Sequence, residues 1–141
     1  MSQFEIFQTE ISVRFRDIDA LGHVNNAVII TYLEHGRARF FIEKCGVEAA
    51  NKFDFILAHI SCDYLHPILI SDIPLLNMWV TQIGSKSFHF GYQLVSKSKP
   101  EQIFAKAQSV QVCYDYDTKQ TVSVPTAMRE LLAPYLREHT S

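Results

Sequence analysis

Between Ile11 and Arg16 apolar and polar residues alternate strictly, with Ile11, Val13 and Phe15 on one side and Ser12, Arg14 and Arg16 on the other. A period of two describes a strand with one buried face. The alternation runs into Asp17-Ile18-Asp19-Ala20-Leu21-Gly22-His23, which reads as a loop, and Asn25 or Asn26 then offers a helix N-cap. From Ala27 to Lys44 the pattern is helical, about 27 Å of helix at 1.5 Å per residue, and Gly46 stands where an αL C-cap is expected. Val28, Ile29, Ile30, Tyr32 and Leu33, followed by Phe40, Phe41 and Ile42, make this helix apolar around most of its circumference. Such a helix is expected to be covered on most sides.

Four further strands are predicted over Ile56–Leu65, Leu75–Ile83, Ser87–Ser96 and Ile103–Tyr114, all rich in β-branched and aromatic residues. Turn signals separate them at Pro67–Pro74, Gly84-Ser85 and Ser98–Glu101. Asp115–Gln120 is a polar turn, and Pro125 fits the first turn of a short C-terminal helix reaching about Arg137. The order strand, long helix, four strands, short helix predicts an α+β fold. One curved, antiparallel, five-stranded sheet wraps a single central helix. A sheet concave enough to do this leaves an open edge, a surface suited to a second copy.

With 141 residues and no repeat or linker, the chain is read as one domain, 1–141. A net charge of −2 without a basic stripe argues against general nucleic-acid binding. Cys45, Cys62 and Cys113 match neither a metal-ligand spacing nor a disulfide framework, which suits a reducing compartment. Met1–Glu10 carries two acids and no base, so it does not read as a targeting segment. No apolar run approaches the ~20 residues that span a bilayer. A cytoplasmic protein is expected.

The chemistry-bearing stretch runs from Val13 to Asn26, followed by Tyr32-Leu-Glu-His-Gly-Arg37. Two carboxylates, Asp17 and Asp19, close a strand, and a Gly-His pair leads into the start of an apolar helix. Amides at a helix start, with the helix dipole, favour a developing negative charge. A carboxylate and such a helix end on one short loop meet the needs of acyl transfer. The plainer reading is that Asp17 and Asp19 cap turns and Asn26 caps the helix.

The chain resembles the hotdog-fold thioesterases typified by 4-hydroxybenzoyl-CoA thioesterase and its acyl-CoA relatives. The resemblance spans almost the whole chain. It is carried by Arg16-Asp17-Ile18-Asp19 with Gly22-His23-Val24-Asn25-Asn26, by Tyr32, Glu34 and Arg37, by Tyr64, Pro67 and Asp72, and by Lys86-Ser87-Phe88. It implies a hotdog fold, hydrolysis of acyl-CoA thioesters to free acid and coenzyme A, no resident cofactor, and a homodimer or homotetramer with active sites between subunits. It also implies that the second aspartate, Asp19, is catalytic, as general base on water or as nucleophile giving a mixed anhydride. The backbone N–H near Asn26 is the matching oxyanion donor.

His23 follows Asp19 by four, as a catalytic His does in the related plant acyl-carrier-protein thioesterases. Those enzymes have Asn where Leu21 stands here, so their full constellation is not copied. His23 is read either as polarising water or thioester or as making a structural hydrogen bond in the loop. Asn25 either orients water or caps the helix, with capping preferred. Asp17 is read as holding the loop or pairing with an arginine. Glu34 lies about 12 Å along the helix from Asn26, too far for the same carbonyl, so a salt bridge to Arg37 or Arg14 is expected. Lys86 and Ser87 match positions that contact the nucleotide end of coenzyme A in the family, against the reading of an ordinary turn, and Phe88 beside them is expected among the substrate-binding residues. His59 and Ser61 alternate on a strand expected to line the acyl pocket, either as substrate contacts or as satisfied polar groups. His66 and His89 have no ligand-like partners, and no metal is expected.

Three functions compete: an acyl-CoA or acyl-carrier-protein thioesterase, a hotdog dehydratase or hydratase, and a non-catalytic acyl-binding protein. The Asp19-x-x-Gly-His-Val-Asn-Asn run favours hydrolysis. A serine hydrolase is disfavoured because no Gly-x-Ser-x-Gly elbow is present.

Overall fold

Residues 4–46, 48 and 54–137 are described in a computed structural model of the chain. Its elements are β1 (Phe7–Glu10), a 3-10 turn (Phe15–Asp17), α1 (Asn26–Cys45), β2 (Phe55–Tyr64), β3 (Pro74–Ile83), β4 (Ser87–Ser96), β5 (Ile103–Asp115), β6 (Gln120–Thr121), α2 (Thr126–Leu132) and a second 3-10 turn (Ala133–Tyr135). The named strands pair antiparallel in the order β1-β3-β4-β5-β2, with the two-residue β6 added to β5. Register shifts in the β2–β5, β3–β4 and β4–β5 ladders bend the sheet. The curved sheet and single long helix are those expected.

Several local expectations are corrected. The first strand is Phe7–Glu10, not Ile11–Arg16. β3 begins at Pro74, so after the Ile11 N–H donates to the Pro74 carbonyl the chain has no further strand to pair with. It curls into the 3-10 turn, and Phe15 ends 87% exposed. The C-terminal helix stops at Leu132 rather than near Arg137, because Pro134 cannot donate to the helical ladder. Gly46 does close α1, its N–H donating to Ile42, but with φ 81° and ψ 161° it is not an αL cap. That backbone region is open almost only to glycine.

The helix packs on the sheet through one stripe, Ile29, Tyr32, Leu33, Gly36, Arg37, Phe40 and Phe41, at the spacing of a single helical face. Gly36 permits the close approach: a Cβ there would overlap Leu76 and come within 2.9 Å of the Met78 Sδ. Phe40 and Phe41 enter a cluster of edge-on rings with Phe7, Phe88, Phe90 and Tyr135, an arrangement that aromatic quadrupoles favour. The rest of the helix surface, with Thr31, Glu34, His35 and Ala38, is exposed. Within one chain, α1 is therefore covered on one side rather than on most.

Candidate active site

Asp17 organises the loop before α1. Its carboxylate, 2% exposed, accepts from the Tyr32 hydroxyl (2.7 Å), the Arg14 N–H (2.9 Å) and the Arg14 guanidinium (3.2 Å), and its carbonyl accepts from the Asn25 N–H. Burial pushes this carboxyl upward, but the Tyr32 and Arg14 hydrogen bonds outweigh it and hold Asp17 below its ordinary range. Burial and Asp17 together raise the Tyr32 hydroxyl, so it remains a donor. Asp17 thus fastens the loop to α1, the structural role expected.

Asp19 sits two residues further on, in a miniature hairpin closed by the Ile18–Val24 bridge. Its N–H donates to the His23 carbonyl, and its carbonyl accepts from Gly22, whose φ of +84° makes the turn possible. The carboxylate is split in role. Oδ1 accepts from the Leu21 N–H (2.9 Å) and the His23 N–H (3.4 Å), while Oδ2 has no protein partner among the described residues. One oxygen anchors the group and the other is free to act.

The start of α1 leaves a single donor to match. Asn25 is the N-cap, its side chain accepting from the Ala27 N–H (2.8 Å). The Val28 and Ile29 N–H groups both donate to the Asn25 carbonyl. Among the described residues, the Asn26 N–H alone in this turn has no acceptor. The two bonds to the Asn25 carbonyl polarise the same peptide unit and strengthen that N–H as a donor. No acidic residue lies in the helix's first turn to offset its positive end.

These groups share a cavity of about 440 Å³. Asp19, Leu21, His23, Asn25 and Asn26 form one wall, and Ile29, Tyr64, Leu65, His66 and Pro67 border the rest. The His23 ring makes no protein hydrogen bond among the described residues, so the structural bond considered for it is not made. Tyr64 crosses from the end of β2, its hydroxyl donating to the Asn26 carbonyl (3.3 Å). The roles of Tyr64 and His66 were missed from the sequence. The signal was the Pro67 stop, which ends β2 beside the helix start.

Other expected site residues lie elsewhere. His59 and Ser61 pair with Val110 and Gln108 of β5, on the sheet face turned away from α1, and neither lines this cavity. Phe88 is 0% exposed in the aromatic cluster, so its side chain cannot meet a ligand. Lys86 and Ser87 open β4 at the far end of the sheet. Ser87 pairs with Val112 and Tyr64 with Ala105, positions about 23 Å apart along β5. Glu34 makes no ion pair among the described residues; Arg14 bonds Asp17 and Arg37 bonds Tyr92 instead. No group of three or more His, Cys, Asp or Glu among the described residues is placed to hold a metal ion. No described helix is long and apolar enough to cross a membrane.

A curved antiparallel sheet laid on one long helix is the hotdog class of protein. The family model of the thioesterase-like superfamily matches residues 13–132, and the chain belongs to that superfamily. It is 29% identical over 133 residues to the long-chain acyl-CoA thioesterase FadM of Escherichia coli, covering 89% of this chain and 96% of that one. It is 25% identical to a 1,4-dihydroxy-2-naphthoyl-CoA hydrolase of Synechococcus elongatus, covering 89% and 94%. A Thermus thermophilus thioesterase solved with coenzyme A and Zn superposes with a TM-score of 0.78 at 30% identity, over 94% of this chain and 95% of that one.

Proposed function

We propose that the protein hydrolyses acyl-CoA thioesters, with Asp19 as the reacting carboxylate and the Asn26 N–H as the oxyanion donor. The observation that carries this reading is the free Asp19 Oδ2 in one cavity with the free Asn26 N–H. A thioester carbon seated between them is attacked by water as Asp19 takes the water's proton. The carbonyl oxygen gains charge against Asn26. Collapse expels the thiolate, which receives the proton back from Asp19. In the alternative route Oδ2 itself attacks and expels the thiolate, and water then cleaves the acyl-aspartyl anhydride, which regenerates the Asp19 carboxylate and leaves a proton for the thiolate. His23, with its ring free in the cavity, is placed to polarise water or thioester. Asn25 turns its amide oxygen to the Ala27 N–H as the cap, and the residue borders the cavity.

The working unit in this reading is a homodimer, or a homotetramer built from dimers. β2 is an edge strand with Ile56, Leu57 and Tyr64 more than a third exposed, a surface that a monomer leaves wet. Antiparallel pairing of β2 with its copy brings the copy's Lys86-Ser87 turn to the end of the sheet that carries Asp19. There Lys86 is free to neutralise a phosphate of coenzyme A. The three free thiols support a reducing compartment, and the cytoplasm is the proposed location.

A panel of acyl-CoA and acyl-carrier-protein thioesters of graded acyl length, assayed by thiol release, tests the activity. Turnover of coenzyme A thioesters is expected. Turnover of carrier-protein thioesters alone reassigns the thiol carrier, and turnover of neither removes the hydrolase reading.

A further inference from the structure

Arg37 is only 7% exposed, yet its one side-chain hydrogen bond among the described residues is from Nη1 to the Tyr92 hydroxyl (3.1 Å). Tyr92 meets Ser109, Ser109 donates to Gln111, and the Gln111 amide donates to the Phe88 carbonyl. Every member of that chain is neutral. A guanidinium keeps its charge in proteins, and a cation buried over most of its surface is ordinarily matched by an anion. The ion pairs among the described residues do not include it. No buried side-chain N or O atom among the described residues lacks a partner. The guanidinium N–H groups not given to Tyr92 therefore reach the surface.

That surface is the seam between α1 and β2. Ile30, Glu34, Arg37 and Phe41 follow at i, i+4, i+7 and i+11 along one ridge of α1. Phe41 at its end packs on Phe55 of β2 and Phe88 of β4. Across the seam, Leu57 and Ile60 of β2 pair with the buried Gln111 and Ser109 and so share their face, yet Leu57 is 42% exposed. Glu34 stands exposed on the same ridge, one turn before Arg37, without an ion pair among the described residues.

We propose that a second copy of this chain closes the seam about a two-fold axis, and that Glu34 of each copy pairs with Arg37 of the other. In a two-fold contact residue i meets j while j meets i, so one Glu and one Arg a turn apart are satisfied twice. The inference rests on the dimer proposed above and adds the charge pairing that fixes its register.

Sedimentation of the full chain over a dilution series tests it, comparing wild type with Glu34→Lys, Glu34→Gln and His35→Lys. His35, also exposed, lies about 100° round the helix from Glu34 and off that ridge, and controls for added charge. Wild type is expected to be dimeric. The dimer Kd should rise by about 100-fold or more in Glu34→Lys and about tenfold in Glu34→Gln, and stay unchanged in His35→Lys. Circular dichroism should be the same in all four, since Glu34 has no side-chain partner among the described residues. A Glu34→Lys dimer as tight as wild type overturns the pairing while leaving the dimer. Equal weakening by His35→Lys also overturns it. A wild type that is monomeric at every concentration removes the dimer, and the pairing with it.

Discussion

Tyr32→Phe isolates the bond that fastens the Asp17–His23 loop to the helix. The hydroxyl donates at 2.7 Å to a carboxylate that is 2% exposed. A hydrogen bond to a charged group is worth about 1.5–3 kcal/mol, and the substitution strands no donor, because the phenol oxygen leaves with its proton. Asp17 keeps its two bonds from Arg14. The expected loss of stability at neutral pH is therefore about 1.5–3 kcal/mol, a fall in Tm of roughly 5–10 °C for a domain of this size. The pH dependence follows from the lowered Asp17 carboxyl. Its contribution is fully present above the unfolded value of 3.8 and is lost as pH falls through the lower folded value. The gap between wild type and Tyr32→Phe should thus be full at pH 7 and narrow below about pH 4. Urea denaturation at pH 7 and pH 3 measures it. A gap of the same size at both values, or none at pH 7, refutes the reasoning.

Gly36→Ala forces a methyl group into Leu76 and Met78 and should cost about 1–3 kcal/mol in denaturant unfolding, as overpacking does; a neutral effect means that α1 does not approach the sheet so closely. His23→Ala should lower kcat by about 100-fold or more with little change in Tm, since the ring makes no hydrogen bond among the described residues; an unchanged kcat removes His23 from the chemistry.

The long helix, the four later strands and the wrapped sheet were legible because each carries a period long enough to read. Asp19, His23 and Asn26 were legible as a group because one short loop delivers all three. What failed turned on long-range pairing. Phe7–Glu10 is too short to show a period, and it is a strand only because the edge of β3 is there to receive it. His59 and Ser61 stand on a strand expected to line the acyl pocket, but alternation shows which residues share a face, not which face the helix covers, and both lie on the face turned from α1. Phe88 looked like a ligand contact from its place beside Lys86, yet the pleat turns it inward against Phe55 and Phe90. Tyr64 and His66 lie some forty residues beyond the loop they join, a meeting that local spacing cannot reveal.

The account turns on the free Oδ2 of Asp19. Asp19→Asn keeps the shape and retains the Oδ1 acceptor for the Leu21 and His23 N–H groups, but it can neither take a proton nor form an anhydride. Thiol release from an acyl-CoA turned over by the wild type, measured beside sedimentation and circular dichroism of the variant, should show an intact assembly with kcat reduced by about 1,000-fold or more. A correctly folded and assembled variant that hydrolyses the thioester at the wild-type rate contradicts the mechanism.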